Sequence, residues 1–236
     1  MALVALRLRM QGARTAGMEL PPVVPLFPLP DHVLLLGLPR IYRMFEPRYR
    51  ALVDDLIGRD PPARWLALPR LTAGWEGEYY DTPPFHPHAA LAKARSIRPL
   101  ANGEWEVIVE GVARCRLDER PSPHPYRIAA VHPLDDLTAD PGSVEVGVAE
   151  VLGLVGRLRE QLGPRGDALA PLLVNTQDAS ALVDRLGSAL LGDVEVRQIF
   201  LETRRLTERI DLLRDGLAQV LRRAEGGPEK WEPSAN

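Results

Sequence analysis

Apolar and polar positions recur with two different periods along this 236-residue chain, and the change of period divides it. Tyr49, Leu52, Val53, Leu56 and Ile57 fall at i, i+3, i+4, i+7 and i+8, which puts one apolar face on a short helix. Pro47 suits its first position, Glu46 sets an acid at the positive end, and Gly58 stops it. Phe45, just outside, is positioned to act as a hydrophobic staple. Trp65 to Leu68 reads as a buried strand. Trp105, Val107 and Val109 alternate with Glu104, Glu106 and Glu110, so one face of that strand is core and the other wet. Asn102-Gly103 just ahead signals a hairpin, and Gly111 permits a turn or bulge. Beyond it Ala113, Cys115 and Leu117 alternate with Arg114 and Arg116, and these arginines are expected opposite the glutamates across the ladder. Tyr126 to Val131 predicts a further strand.

From Val144 the period becomes helical. Val144 to Leu162 forms one helix, loosened by Gly147, Gly153 and Gly156. Asp178 caps a helix through Leu191 that Gly192 closes, and Asp193 caps the next. The last helix carries Leu206, Ile210, Leu213, Leu217, Val220 and Ala224 in a 4-3-4-3-4 spacing, an a/d seam. That seam either packs inside the chain's own bundle or pairs with a second copy.

Composition sharpens the division. Nineteen of the 23 prolines lie from Pro21 to Pro141, eleven aromatics lie from Phe27 to Tyr126, and all five histidines lie from His32 to His132. Proline is absent from Leu172 to Gly227. A β-rich domain over 21–141, a helical bundle over 142–227 and a tail over 228–236 are therefore expected. Residues 1–20 carry Arg7, Arg9 and Arg14 but no signal-peptide core, and read as a disordered extension or a misassigned start.

The net charge of −3 gives no reason for strong attraction to nucleic acid or an anionic membrane. The arginines at 40, 43, 48 and 50 are diluted by Glu46, Asp54 and Asp55. No apolar run reaches the ~18 residues of a membrane span. A single cysteine, Cys115, permits no intrachain disulfide and suits a reducing, cytoplasmic setting. It is predicted to point into the core. A phosphate-binding loop needs Gly-Lys, which occurs nowhere. There is no Gly-x-Ser-x-Gly elbow, and neither lysine, Lys93 or Lys230, sits where a Ser-Lys dyad would need it. His86-x-His88 is the one close histidine pair, but it lies in the proline loop 82–88 with no third ligand. The sequence therefore points to no cofactor, metal or catalytic residue.

The run Val24-Pro25-Leu26-Phe27-Pro28-Leu29-Pro30, then Val33-Leu34, Gly37, Pro39 and Phe45-Glu46-Pro47-Arg48-Tyr49-Arg50, closely resembles the opening of the N-terminal substrate-binding domain of the Lon (La) ATP-dependent protease. Val109-Glu110-Gly111, Pro125-Tyr126, Val196 to Glu202 and Thr207 to Ile210 extend the resemblance to roughly residues 22–224. Leu36 and Arg40 depart from the usual pattern, and Ala73 to Ala94 matches poorly. The family's protease chains continue into an ATPase and a Ser-Lys peptidase, and neither fits between residue 224 and Asn236. A stand-alone substrate-binding-domain protein is therefore expected. The resemblance implies an α+β fold, a PUA-like β-barrel followed by an α-helical bundle, and a noncatalytic role in binding unfolded or apolar polypeptide segments. The protein would then be an adaptor in protein quality control, beside a full-length protease. The alternative is an RNA-binding PUA-like module. Trp75, Tyr79, Tyr80 and Phe85 crowd an irregular Gly/Pro stretch and are the candidate peptide-binding residues, unless they fold back as a lid over the barrel end.

Overall fold

The computed structural model describes residues 18–137, 139–173 and 178–225. Most of the expected extension over 1–20, the tail over 228–236 and Lys230 lie outside them. Two compact units divide the chain, a β unit running to Asp135 and a helical unit starting at Asp136.

The β unit is one antiparallel sheet in the order β1-β6-β5-β4-β3, with β2 also on β5. Its strands are β1 (Val23–Pro25), β2 (Pro39–Met44), β3 (Trp65–Leu68), β4 (His88–Pro99), β5 (Trp105–Arg120) and β6 (Ile128–Pro133). Residues following β1 bridge in parallel to those of β3 and just beyond it, Leu26 to Ala67 and Leu29 to Arg70, which closes the sheet on itself. Its interior holds Leu26, Trp65, Leu91, Ala113, Cys115 and Leu117, all buried.

The long β4–β5 hairpin turns at Asn102 and Gly103, whose φ values of 62° and 68° need residues that tolerate the left-handed region. Gly111 does not turn the chain: β5 runs on to Arg120, and the register slips there from Ala92↔Gly111 to Leu91↔Ala113, a bulge at Val112. Because the strand continues, Arg114 and Arg116 face Ala90 and His88, not the glutamates. The glutamates instead meet other arginines: Arg98 with Glu106 at 2.9 Å, Arg95 with Glu110 at 2.7 Å and Arg43 with Glu104 at 2.5 Å.

The expected short helix is present as α1 (Pro47–Ile57), with Glu46 at its N-cap and Tyr49, Leu52, Val53 and Leu56 buried. Phe45 is no staple, being 58% exposed. A staple needs an apolar residue at the fourth helical position, and Arg50 stands there.

The helical unit contains α2 (Pro141–Leu162), α3 (Ala179–Leu190), α4 (Val194–Glu202) and α5 (Leu206–Glu225), with a 3₁₀ stretch over Gly163–Leu173. Asp140, Asp178 and Asp193 each accept backbone N–H bonds as N-caps. The first cap draws the start of α2 back to Pro141 from the expected Val144. Gly192 is not the closing residue of α3. Leu191 takes the cap position in an extended conformation, and the buried Arg197 donates to its carbonyl at 2.8 Å. Gly147 lies in an unbroken α2 where a loosened helix was expected. A Cβ there would lie 2.7 Å from Ile210 Cγ2, so the missing side chain lets α5 approach. The α5 seam is buried through Leu206, Ile210, Leu213 and Leu217, then shifts to Leu221, leaving Val220 half-exposed. That shift follows the helix's own period against α2 and α3 of the same unit, not a sustained heptad. Among the described residues no helix is long and apolar enough to cross a membrane.

Cys115 is fully buried and its thiol donates to the Ala89 carbonyl at 3.5 Å. Burial pushes its pKa up to about 12. The ordinary thiol value is ~8.5, so the folded state retains a proton that the unfolded chain loses. The associated stability is fully present below ~8.5 and is lost as pH rises toward 12. Two outcomes are expected: native protein resists aromatic disulfide reagents until unfolded, and Cys115→Ala flattens the alkaline fall in urea stability. Rapid native labelling would contradict the assignment.

Candidate functional site

A cleft of about 640 Å³ opens on the β unit between the start of α1, the loop after Tyr79 and the β5–β6 connection. Each wall has a local cause. Pro47 starts α1, which turns Tyr49 inward to 4% exposure and leaves Arg48 at the cleft edge. Tyr49 meets Phe27 edge-on at 4.7 Å, and its hydroxyl reaches the Pro28 carbonyl only at 3.5 Å. The opposite wall is the connection Pro121-Ser122-Pro123-His124-Pro125. Ser122 Oγ ties it down by donating to the Tyr126 carbonyl at 2.6 Å and accepting from His124 N–H at 3.1 Å. Tyr126 is not in a strand, since β6 begins at Ile128. Its ring stacks on His124 at 4.8 Å, and its hydroxyl donates to Asp55 of α1. His124 Nδ1 lies 3.4 Å from the same carboxylate.

The four aromatics expected to act together are separated into different roles. Trp75 and Tyr79 are half-buried and meet at 5.4 Å; Tyr79 donates to Glu46 at 2.6 Å and lies under the Arg48 guanidinium at 5.1 Å. Burial, and then that hydrogen bond, pushes the Tyr79 phenol up to about 12. Phe85 packs on the barrel core, with Arg127 stacked over it at 4.7 Å. Tyr80 alone points outward, 88% exposed, lining the cleft and held edge-on by Tyr79 at 5.1 Å.

The arginines of the cleft have carboxylate partners. Arg48 pairs with Glu46 at 2.9 Å, Arg127 with Glu119 at 2.5 Å and Arg120 with Asp118 at 2.8 Å. Among the described residues no three His, Cys, Asp or Glu side chains gather as metal ligands. His86 donates its backbone N–H to Arg70, and His88 already belongs to β4, not to the preceding proline loop. The cleft thus offers rings and hydrogen-bond donors for holding a ligand. Sequence reasoning missed Pro28, Arg48, Tyr49, His124 and Tyr126 as wall residues. The alternating prolines at 121, 123 and 125 were the available signal for the second wall.

The model of the ATP-dependent protease La (LON) substrate-binding domain family matches residues 23–219. Among solved structures, the N-terminal domain of Mycobacterium avium complex Lon protease superposes with a TM-score of 0.62 at 21% identity, covering 83% of this chain and 98% of that one. The Lon N-terminal domain protein from Xanthomonas campestris gives 0.54 at 20% identity, covering 81% and 96%. These structures bear out the α+β reading of a β-rich domain followed by helices. No curated protein matches.

Proposed function

Because this chain belongs to the ATP-dependent protease La (LON) substrate-binding domain family, we propose that it binds polypeptide without chemistry of its own, holding extended apolar segments in the cleft of the β unit. Tyr80 carries the reading: a large ring, almost wholly exposed, kept at the rim by Tyr79. Such a ring supplies contact area at low side-chain entropy cost. Tyr79, backed by Trp75, supports that ring from behind, and Phe85 packs on the barrel core, so the binding and lid roles fall to different members of the group. The carboxylate partners of the cleft arginines weigh against RNA as the ligand. The corresponding cellular role is that of an adaptor in the cytoplasm, working beside a full-length protease.

The test is a titration of the full chain with reduced, carboxymethylated lactalbumin, followed by anisotropy of a label on the lactalbumin. Saturable binding is expected, weakened about tenfold by Tyr80→Ala. The melting temperature should not move, because an exposed ring contributes within about 0.5 kcal/mol to stability. Absence of wild-type binding at high micromolar concentration would remove the reading.

A further inference from the structure

The backbone around the cleft bears on what kind of segment it can take. Strand addition requires a row of unused main-chain donors and acceptors along an edge. Here several carbonyls in and beside the cleft are already engaged. Arg48 takes the carbonyl of Tyr79, Arg127 takes that of Pro83, Thr72 takes that of Pro84, and Ser122 takes that of Tyr126. The Arg127 carbonyl accepts from the Leu26 N–H at 2.8 Å. On the donor side, Pro28, Pro121 and Pro125 line the cleft and have no N–H at all.

What the walls present instead is ring surface and side-chain donors. Tyr80 and His124 supply exposed rings, His124 backed by the buried Tyr126, and the hydroxyls of Tyr80 and Thr82 supply donors. The complementary chain is poor in N–H groups, rich in strong carbonyl acceptors and furnished with flat apolar rings. A proline-rich segment in the polyproline II conformation has all three properties, and its fixed φ angles reduce the ordering cost of binding.

Resting on the reading that the cleft takes polypeptide, we propose that it selects proline-rich segments in the polyproline II conformation, seated between Tyr80 and His124, and does not add a β-strand. Tyr80 and His124 then act as the jaws: the ladder Trp75–Tyr79 holds the first in place, and the buried Tyr126 holds the second by stacking.

The experiment uses the full chain and two fluorescein-labelled peptides of about ten residues, one of proline flanked by single glycines, the other a proline-free alanine–valine sequence. Affinity for the proline peptide is expected to exceed that for the proline-free one by about tenfold or more, and Tyr80→Ala should remove most of that difference. Equal affinity for the two peptides would overturn the proline preference while leaving polypeptide binding intact. Proline-peptide binding untouched by Tyr80→Ala would overturn the placement. Failure of both peptides and of carboxymethylated lactalbumin would remove the underlying reading as well.

Discussion

Replacing Arg209 with methionine is expected to lower the stability of the helical unit by about 3–5 kcal/mol, the usual cost of breaking a buried ion pair by removing one partner. Arg209 is wholly buried on α5. Its guanidinium donates two bonds of 2.7 Å to the two oxygens of Asp136, one of 2.8 Å to Ser180 Oγ, and others to the carbonyls of Thr203 and Arg204. Its Nε stands 3.4 Å from the buried Asp184, an ion-pair contact too long for a good hydrogen bond. Burial by itself would lower the arginine's pKa, but Asp184 and then Asp136 reverse that and raise it overall. Methionine fills a similar volume, so the loss comes from the carboxylates and not from a cavity. Removing the Asp184 charge too, in Arg209→Met/Asp184→Leu, should restore part of the stability, as apolar replacement of a whole buried network often does. Urea unfolding monitored by helical circular dichroism reads the effect, while tryptophan fluorescence in a Trp231→Phe background, where only Trp65, Trp75 and Trp105 emit, reports the β unit separately. A cost below about 1 kcal/mol, or a double variant weaker than the single one, would refute this account.

Arg209 also shows what the sequence disclosed and what it hid. It sits three residues after Leu206 and one before Ile210, on the apolar face of the helix, where a lone arginine must find partners. The pattern therefore marked the position, but its partners Asp136 and Asp184 are 73 and 25 residues away along the chain, and no periodicity links them. The same holds across the β unit. Local rules specified α1, β3, the Asn102-Gly103 turn and the caps at Asp178 and Asp193, because each depends on neighbours within a few residues. The short strands β1 and β2, by contrast, exist through pairing with β6 and β5, far off in sequence, and carry little alternation of their own. The candidate site was half legible for that reason. The aromatic cluster announced itself, but which ring faces solvent is decided by Glu46 and Arg48 at the start of α1 and by Arg127 just ahead of β6, 30 or more residues away along the chain.

Tyr49 is both a buried ring of the β unit and a wall of the cleft, and its truncation tests the first of these. Tyr49→Ala is expected to cost the β unit about 3–5 kcal/mol, as for other buried aromatic rings replaced by alanine. The gain in helix propensity from alanine offsets only ~0.5 kcal/mol of that. The ring is the link between α1 and the barrel entrance, edge-on to Phe27 and covered by the Arg48 guanidinium at 4.7 Å. The hydroxyl matters much less for folding. Its bond to the Pro28 carbonyl, at 3.5 Å, is at the limit of a hydrogen bond, so Tyr49→Phe should change stability by less than about 1 kcal/mol. The two substitutions also differ at the cleft, since the phenylalanine variant keeps the wall and removes one donor. Because that hydroxyl is buried and faces the Pro28 carbonyl, Tyr49→Phe should leave the affinity for the proline peptide unchanged. Unfolding midpoints for wild type, Tyr49→Phe and Tyr49→Ala, set beside peptide affinities for the first two, decide the matter. A Tyr49→Ala protein that kept its midpoint but lost all binding would show that the residue belongs to ligand recognition and not to the architecture of the β unit.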